Sequence, residues 1–364
     1  MANPTVDPKQ TRLGLELKHP HPLIGCRFDP SGRYLFVSAE DSTLQRFDLL
    51  TGRKTAFTGH ESWVRGISFS PPSATAIPAS LIPPVAALGG LATAAVRPSS
   101  PFAMVTGDYH GKLIWWDGAA EVPSPVRKLE AHDGWVRAVA MSPDGKTVAS
   151  CGNDHFVKLW SVADGKPGRV LEGHECHIYN VAFHPAGGRL VSCDLKGIVK
   201  DWDLSTGKVV RELDAKILHK YDTGFRADIG GARGMTFSAD GSALACTGIT
   251  NVSNAFAGVG NPLVVLFDWK DAKAKQLKPK EAYQGTGWGV AFHPAGFLVA
   301  AGGAANGRIW FWTGEENTHK VDVPVSARDM ALHPSGTAVA VAGHAGNALV
   351  YTMLPGPEKP AAKK

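Results

Sequence analysis

Apolar and polar residues alternate along short runs of this chain, and tight-turn residues separate the runs. WVRAVAMS (135–142) alternates and reads as a half-buried strand, which PDG (143–145) ends. KTVASC (146–151) forms a second strand, GND (152–154) turns the chain, and HFVKLW (155–160) is a third. SVADGKP (161–167) turns it again, and GRVLE (168–172) starts a fourth strand. Four short antiparallel strands cannot bury both of their faces alone.

The same phrase recurs along the chain. An apolar run leads into Pro and then Gly in GCRFDPSG (25–32), VRAVAMSPDG (136–145), VAFHPAGG (181–188), GVAFHPAG (289–296) and DMALHPSG (329–336). GISFSPPS (66–73) and GMTFSADG (234–241) are looser copies. With the Pro position as a ruler, the marks fall at Pro30, Pro71, Pro143, Pro185, Ala239, Pro294 and Pro334. Their spacings are 41, 72, 42, 54, 55 and 40, so the period is about forty with insertions. Small sheets of this kind bury their faces by stacking on one another, and a closed ring also shields their edges. The expected fold is all-β: a seven-bladed β-propeller of four-stranded antiparallel blades.

Paired motifs sit at fixed places in the period. Gly59-His60, Ala131-His132 and Gly173-His174 precede the first strand, with His19 a weaker copy. Trp116-Asp117, Trp202-Asp203, Phe47-Asp48 and Phe267-Asp268 end the third strand; Trp160-Ser161, Trp312-Thr313 and Val350-Tyr351 are weaker versions. These residues resemble the WD-repeat family over about 13–353. The resemblance implies a hydrogen-bonded stack of His132, Ser150, Asp154 and Trp160 in blade three. Blade one has Phe47 in place of Trp, His110 and Lys196 stand where Asp154 stands in blades two and four, and blades five to seven lack the His. An irregular propeller held mainly by apolar packing is expected. The last unit ends after ALVYTM (348–353), and LGLELK (13–18) lies where a fourth strand belongs. As in the family, the N-terminus is expected to supply the outer strand of the last blade.

The resemblance also implies that blade-to-blade links and the turns between strands two and three share a narrow top face, whose central rim binds peptides. Two positions per repeat point there. Six residues before the ruler stand Ile24, Arg65, Arg137, Tyr179, Arg233, Trp288 and Arg328; eight before stand Pro22, Trp63, Trp135, His177, Gly231, Thr286 and Ser326. Arg forks suit carboxylate or phosphate, and Trp and Tyr are rigid interface anchors. Trp63, Arg65, Trp135, Arg137, His177, Tyr179, Arg233, Trp288 and Arg328 are therefore the candidate partner-binding residues for an acidic or phosphorylated peptide segment. Three other readings stand beside it: Arg paired with acidic loop residues while Trp packs between blades, a nucleic-acid surface, and a propeller enzyme working at the channel mouth. The stretches 213–231 and 249–262 of blade five lengthen the same face, as binding elements or as surface drift. The apolar insertion 72–100 of blade two leaves from the opposite face, to fold back over the ring or to dock on a partner.

Composition narrows the chemistry. The 364 residues carry a net charge of +5, which suits an acidic partner and does not require nucleic acid. No long apolar run spans a bilayer, and five Cys without framework spacing point to free thiols in a reducing, cytoplasmic setting. Residues 1–12 are expected to fray and 354–364 to form a flexible basic tail. There is no phosphate-cradling Gly loop and no H-E-x-x-H. His174 sits in the structural Gly-His position, which leaves Cys176 and His177 a poor metal set. His184, His293 and His333 precede the ruler Pro in three blades and read as scaffold residues. No catalytic residue, cofactor or metal is expected, and the ring is expected to be a monomer on its own.

Overall fold

The structure is a computed structural model and describes residues 6–71, 101–254 and 259–355. Seven four-stranded antiparallel sheets follow one another around an axis. Their strands, innermost first, are Leu23–Phe28, Tyr34–Ala39, Leu44–Asp48 and Lys54–Phe57 in blade one, and Val64–Phe69, Ala103–Asp108, Lys112–Asp117 and Arg127–Glu130 in blade two. Blade three has Val136–Met141, Thr147–Gly152, Val157–Ser161 and Pro167–Leu171; blade four has Ile178–Phe183, Arg189–Asp194, Ile198–Asp203 and Lys208–Asp214. Blade five has Gly234–Phe237, Ala243–Asn254, Val259–Asp268 and Ala274–Leu277; blade six has Thr286–Phe292, Leu298–Gly303, Gly307–Thr313 and Glu316–Val323. Blade seven takes Ala327–Leu332, Ala338–Gly343 and Asn347–Thr352 from the C-terminal end and Arg12–Lys18 from the N-terminal end. Each innermost strand touches those of both neighbours, blade seven against blade one included, so the ring is closed.

The core divides in the same way. Seven separate apolar clusters lie between successive blades, such as Phe36, Phe57, Ile67 and Trp116 between blades one and two. Each sheet therefore buries both faces, which a lone four-stranded sheet cannot do. On the face of the Pro turns, histidines latch neighbouring blades. Nε2 of His293 meets the Gly336 carbonyl at 2.6 Å, and Nε2 of His333 meets the Gly32 carbonyl at 2.9 Å. Nε2 of His184 reaches the Gly241 carbonyl at 3.2 Å.

The buried polar stacks differ from expectation in blades two and four. Blade three forms the expected one: His132 Nδ1 lies 2.8 Å from Asp154, its Nε2 2.7 Å from Ser150 Oγ, and Trp160 Nε1 donates to that Oγ at 2.8 Å. Blade two builds the same network from His60, Thr106, Asp108 and Trp116, and blade four from His174, Ser192, Asp194 and Trp202. The turn residues His110 and Lys196 play no part in it. Asp108 and Asp194 lie two positions earlier, as the last residues of their strands. One carboxylate oxygen faces the His ring while the other receives backbone N–H groups of the turn, at 2.9 and 3.0 Å for Asp108. In blade one Phe47 is matched by Val37, which holds the register position of Ser150, so hydroxyl and indole disappear together. His19 there turns its Nε2 to Asp41, at 2.9 Å.

Three stretches at the periphery also differ. Within 1–12, where fraying is expected, Asp7 caps a short 3-10 turn over Pro8–Gln10 and its N–H donates to the Met353 carbonyl. Leu354, expected in the tail, is buried. The elaborations of blade five are paired strands rather than loops. The second and third strands run on as a hairpin with Thr250 opposite Asn261, and 213–231 contains a further hairpin, His219–Asp222 with Ala227–Gly230. Lys220 Nζ ties the two together through the Val252 carbonyl at 2.6 Å. The insertion 72–100 and residues 356–364 lie outside the described residues.

Candidate functional site: the channel mouth

A cavity of about 590 Å³ runs along the ring axis. Its walls are the innermost strands, from Trp63 and Tyr109 at one end to Pro30, Pro71 and Pro143 at the other. All seven residues six places before the ruler line it: Ile24, Arg65, Arg137, Tyr179, Arg233, Trp288 and Arg328.

The local cause is a backbone irregularity repeated around the ring. In six blades the pairing of strands one and two shifts at this residue, between Leu23 and Gly25, Val64 and Gly66, Val136 and Ala138, Ile178 and Asn180, Gly287 and Gly289, and Ala327 and Asp329. The residue skipped by the ladder is the ring residue itself. A bulge re-aims one side chain while the strand continues, and here it turns each one toward the axis. Blade five lacks this shift; Arg233 stands just before its first strand and donates its N–H to the Thr247 carbonyl at 2.7 Å.

The positions eight before the ruler are pinned separately. In five blades the residue opening the strand two-to-three turn donates its N–H to them: Glu40 to Pro22, Tyr109 to Trp63, Asn153 to Trp135, Leu195 to His177 and His344 to Ser326. Of these outer-rim residues only Trp63 lines the cavity, while Trp135 and His177 sit on the rim. Trp63 and Trp135 are each 41% exposed.

Guanidinium groups and rings interleave around the mouth. The Arg137 guanidinium lies 4.3 Å from the Trp135 ring centre and 4.5 Å from that of Tyr179, and its Nε donates to Asn153 at 2.8 Å. Arg233 lies 4.4 Å from Tyr179 and 5.5 Å from Trp288. Arg65 and Arg328 approach Trp288 from 5.4 and 6.0 Å. Arg65 also donates to the Ile24 and Arg328 carbonyls. Among the described residues none of the four forms an ion pair with a carboxylate, and Nε of both Arg233 and Arg328 is buried without a partner. The direct ion pairs that the acidic-loop reading calls for are thus not formed by these four arginines, although Glu40, in the turn after the second strand of blade one, lines the same cavity. Burial, and then the charges of Arg137 and Arg65, hold the Arg233 pKa below the ordinary guanidinium value. Burial, followed by the charges of Arg137 and His155, likewise lowers His177. Excess positive charge is thus concentrated where low-dielectric walls strengthen it. The one acid among these strand residues, Asp329, is matched by Arg27, 2.5 Å away.

Sequence reasoning missed Tyr109, which stacks flat on Trp135 with centroids 4.0 Å apart and planes at 4°. It also missed Asn153, His155 and His344, the last with Nδ1 3.5 Å from Arg328. All four belong to turns between strands two and three. Among the described residues no group of three or more His, Cys, Asp or Glu is placed to hold a metal.

The geometry defines a closed repeat propeller with a cationic, aromatic-lined mouth. The family model for the WD domain, G-beta repeat, matches residues 123–161 and 165–203, which span parts of blades two to four. The chain is 29% identical over 135 residues to the nuclear distribution protein PAC1 of Coccidioides posadasii (strain C735), covering 37% of this chain and 26% of that protein. It is 26% identical over 135 residues to the nuclear distribution protein nudF of Aspergillus niger (strain ATCC MYA-4892 / CBS 513.88 / FGSC A1513), covering 37% and 28%. The match thus spans about a quarter of the length of these curated relatives. With seven four-stranded blades and three complete His–hydroxyl–Asp–Trp networks, the chain is a seven-bladed β-propeller whose matched blades are similar to the WD repeat.

Proposed function

We propose that this propeller is a protein–protein interaction scaffold that captures an acidic segment of a partner at its channel mouth. One observation carries the reading: four arginines converge on the axis, and among the described residues none of them is ion-paired to a carboxylate. Holding like charges together costs free energy, and an anionic ligand recovers it. Aspartate, glutamate and phosphorylated side chains share the required chemistry. Five unpaired cysteines, four of them buried, support a reducing, cytoplasmic setting.

The test measures anisotropy of fluorescein-labelled octaglutamate and of a phosphoserine peptide of equal length. Charge-assisted hydrogen bonds contribute about 1.5–3 kcal/mol each. Arg137→Ala with Arg233→Ala should therefore weaken binding by at least about tenfold while far-UV circular dichroism stays the same. Lys278→Ala with Lys280→Ala removes equal charge from exposed positions elsewhere and should leave binding intact. Equal losses in both variants, or none in the first, would refute the reading.

A further inference from the structure

Trp63, Tyr109 and Trp135 form an aromatic shelf on the rim of blades two and three. Tyr109 lies between the two tryptophans, flat on Trp135 and tilted by 43° to Trp63 at 6.1 Å. Tryptophan is among the most highly buried residues on average, yet both of these leave 41% of their surface open beside the cavity. No blade packing requires that exposure, since the core of this interface is filled by other residues such as Trp115, Val136, Val148 and Trp160.

We infer that the shelf seats a neutral aromatic side chain of the partner, placed next to the acidic residues held by the arginines. This rests on the reading of the mouth as a seat for acidic groups. Two features select the occupant. Arg137 already stands against the shelf, 4.3 Å from Trp135 and 5.6 Å from Tyr109, and a second cation there would face like charge. A methylated or free lysine is therefore disfavoured, although exposed aromatics usually attract cations. Aromatic rings gain from offset or edge-to-face contact with one another, so an uncharged ring suits the open side of the shelf. The partner segment is then bipartite: anionic groups over Arg137 and Arg233, and an aromatic residue beside them.

The test uses labelled peptides (Glu)4-X-(Glu)4 with X as Phe, Ala or trimethyllysine, on the full chain. The Phe peptide should bind the intact protein about 5–10-fold tighter than the Ala peptide. Trp63→Ala with Trp135→Ala should abolish that advantage, whereas Trp63→Phe with Trp135→Phe should restore most of it. Both sites are open to solvent, so truncation leaves no core cavity, and matching thermal melts confirm folding. The inference fails if Phe holds no advantage over Ala, if the advantage survives the Ala double variant, or if trimethyllysine binds tighter than Phe. An eight-nucleotide oligothymidylate that binds tighter than the Phe peptide and loses affinity in the same variant overturns it in favour of nucleic acid. If the Ala peptide ignores Arg137→Ala with Arg233→Ala, the mouth reading itself fails, which is a separate outcome.

Discussion

Replacing Ser150 by Val should destabilise blade three through two orphaned partners rather than one. His132 Nδ1 is 2.8 Å from the Asp154 carboxylate, so Nδ1 carries the proton and donates. Nε2 is then an acceptor, and the Ser150 hydroxyl donates to it while receiving the Trp160 indole N–H. Burial keeps His132 neutral, lowering its pKa despite the hydrogen bond to Asp154. Burial alone would raise Asp154, yet the hydrogen bonds from His132 and Lys158 and the charge of Lys158 hold it well below the usual carboxylate range. Removing the hydroxyl strands the indole N–H and the Nε2 lone pair, each at about 1–3 kcal/mol. The single variant should lose about 2–5 kcal/mol. Adding Trp160→Phe removes the stranded donor, so the double variant should be less damaged than the sum of the singles by about 1–2 kcal/mol. Blade one is the natural precedent, with Val37 and Phe47 at these two places. Urea unfolding followed by circular dichroism measures all four corners of the cycle. Additivity within about 0.5 kcal/mol would refute the coupled network.

Two further outcomes concern the ring as a whole. His293 and His333 accept backbone N–H groups of Ala295 and Ser335 at Nδ1, 2.9 and 3.2 Å away, while Nε2 donates to the next blade. Burial lowers both pKa values below 6.5, outweighing the hydrogen bonds to Gly336 and Gly32. The folded ring then binds fewer protons than the unfolded chain, so this stability is complete above about pH 6.5 and declines as pH falls toward the lowered values. The urea midpoint should drop between pH 7.5 and 5, and His293→Gln with His333→Gln should flatten the slope; a midpoint that rises on acidification would contradict the latch. Deleting residues 1–18 should leave Asn347–Thr352 an open edge and produce oligomers in light scattering. A monodisperse monomer with the original melting temperature would show that the closing strand is dispensable.

The ring of seven was legible because each inner strand is one continuous segment. Counting back from the ruler follows the covalent chain, and it reaches the bulged residue in blade after blade, Arg65 and Arg137 included. Tyr109 escaped because it comes from another segment, the turn opening after Asp108. Only strand pairing lays its ring on Trp135. Asp108 and Asp194 were misread for a related reason. Matching turns by length aligned them with Gly152, whereas the requirement is a carboxylate within reach of a His ring, met from either the strand end or the turn.

Residue order alone determined the repeat, its period, the alternation that makes strands and the positions that face the axis. These are local or periodic properties, carried by side-chain type and spacing. What only the tertiary structure decided was charge balance and company: that four arginines meet without an ion pair among the described residues, that two tryptophans stay open, and that blade five's additions pair into hairpins. These depend on distances between segments far apart in the chain, and closure of the ring sets those distances.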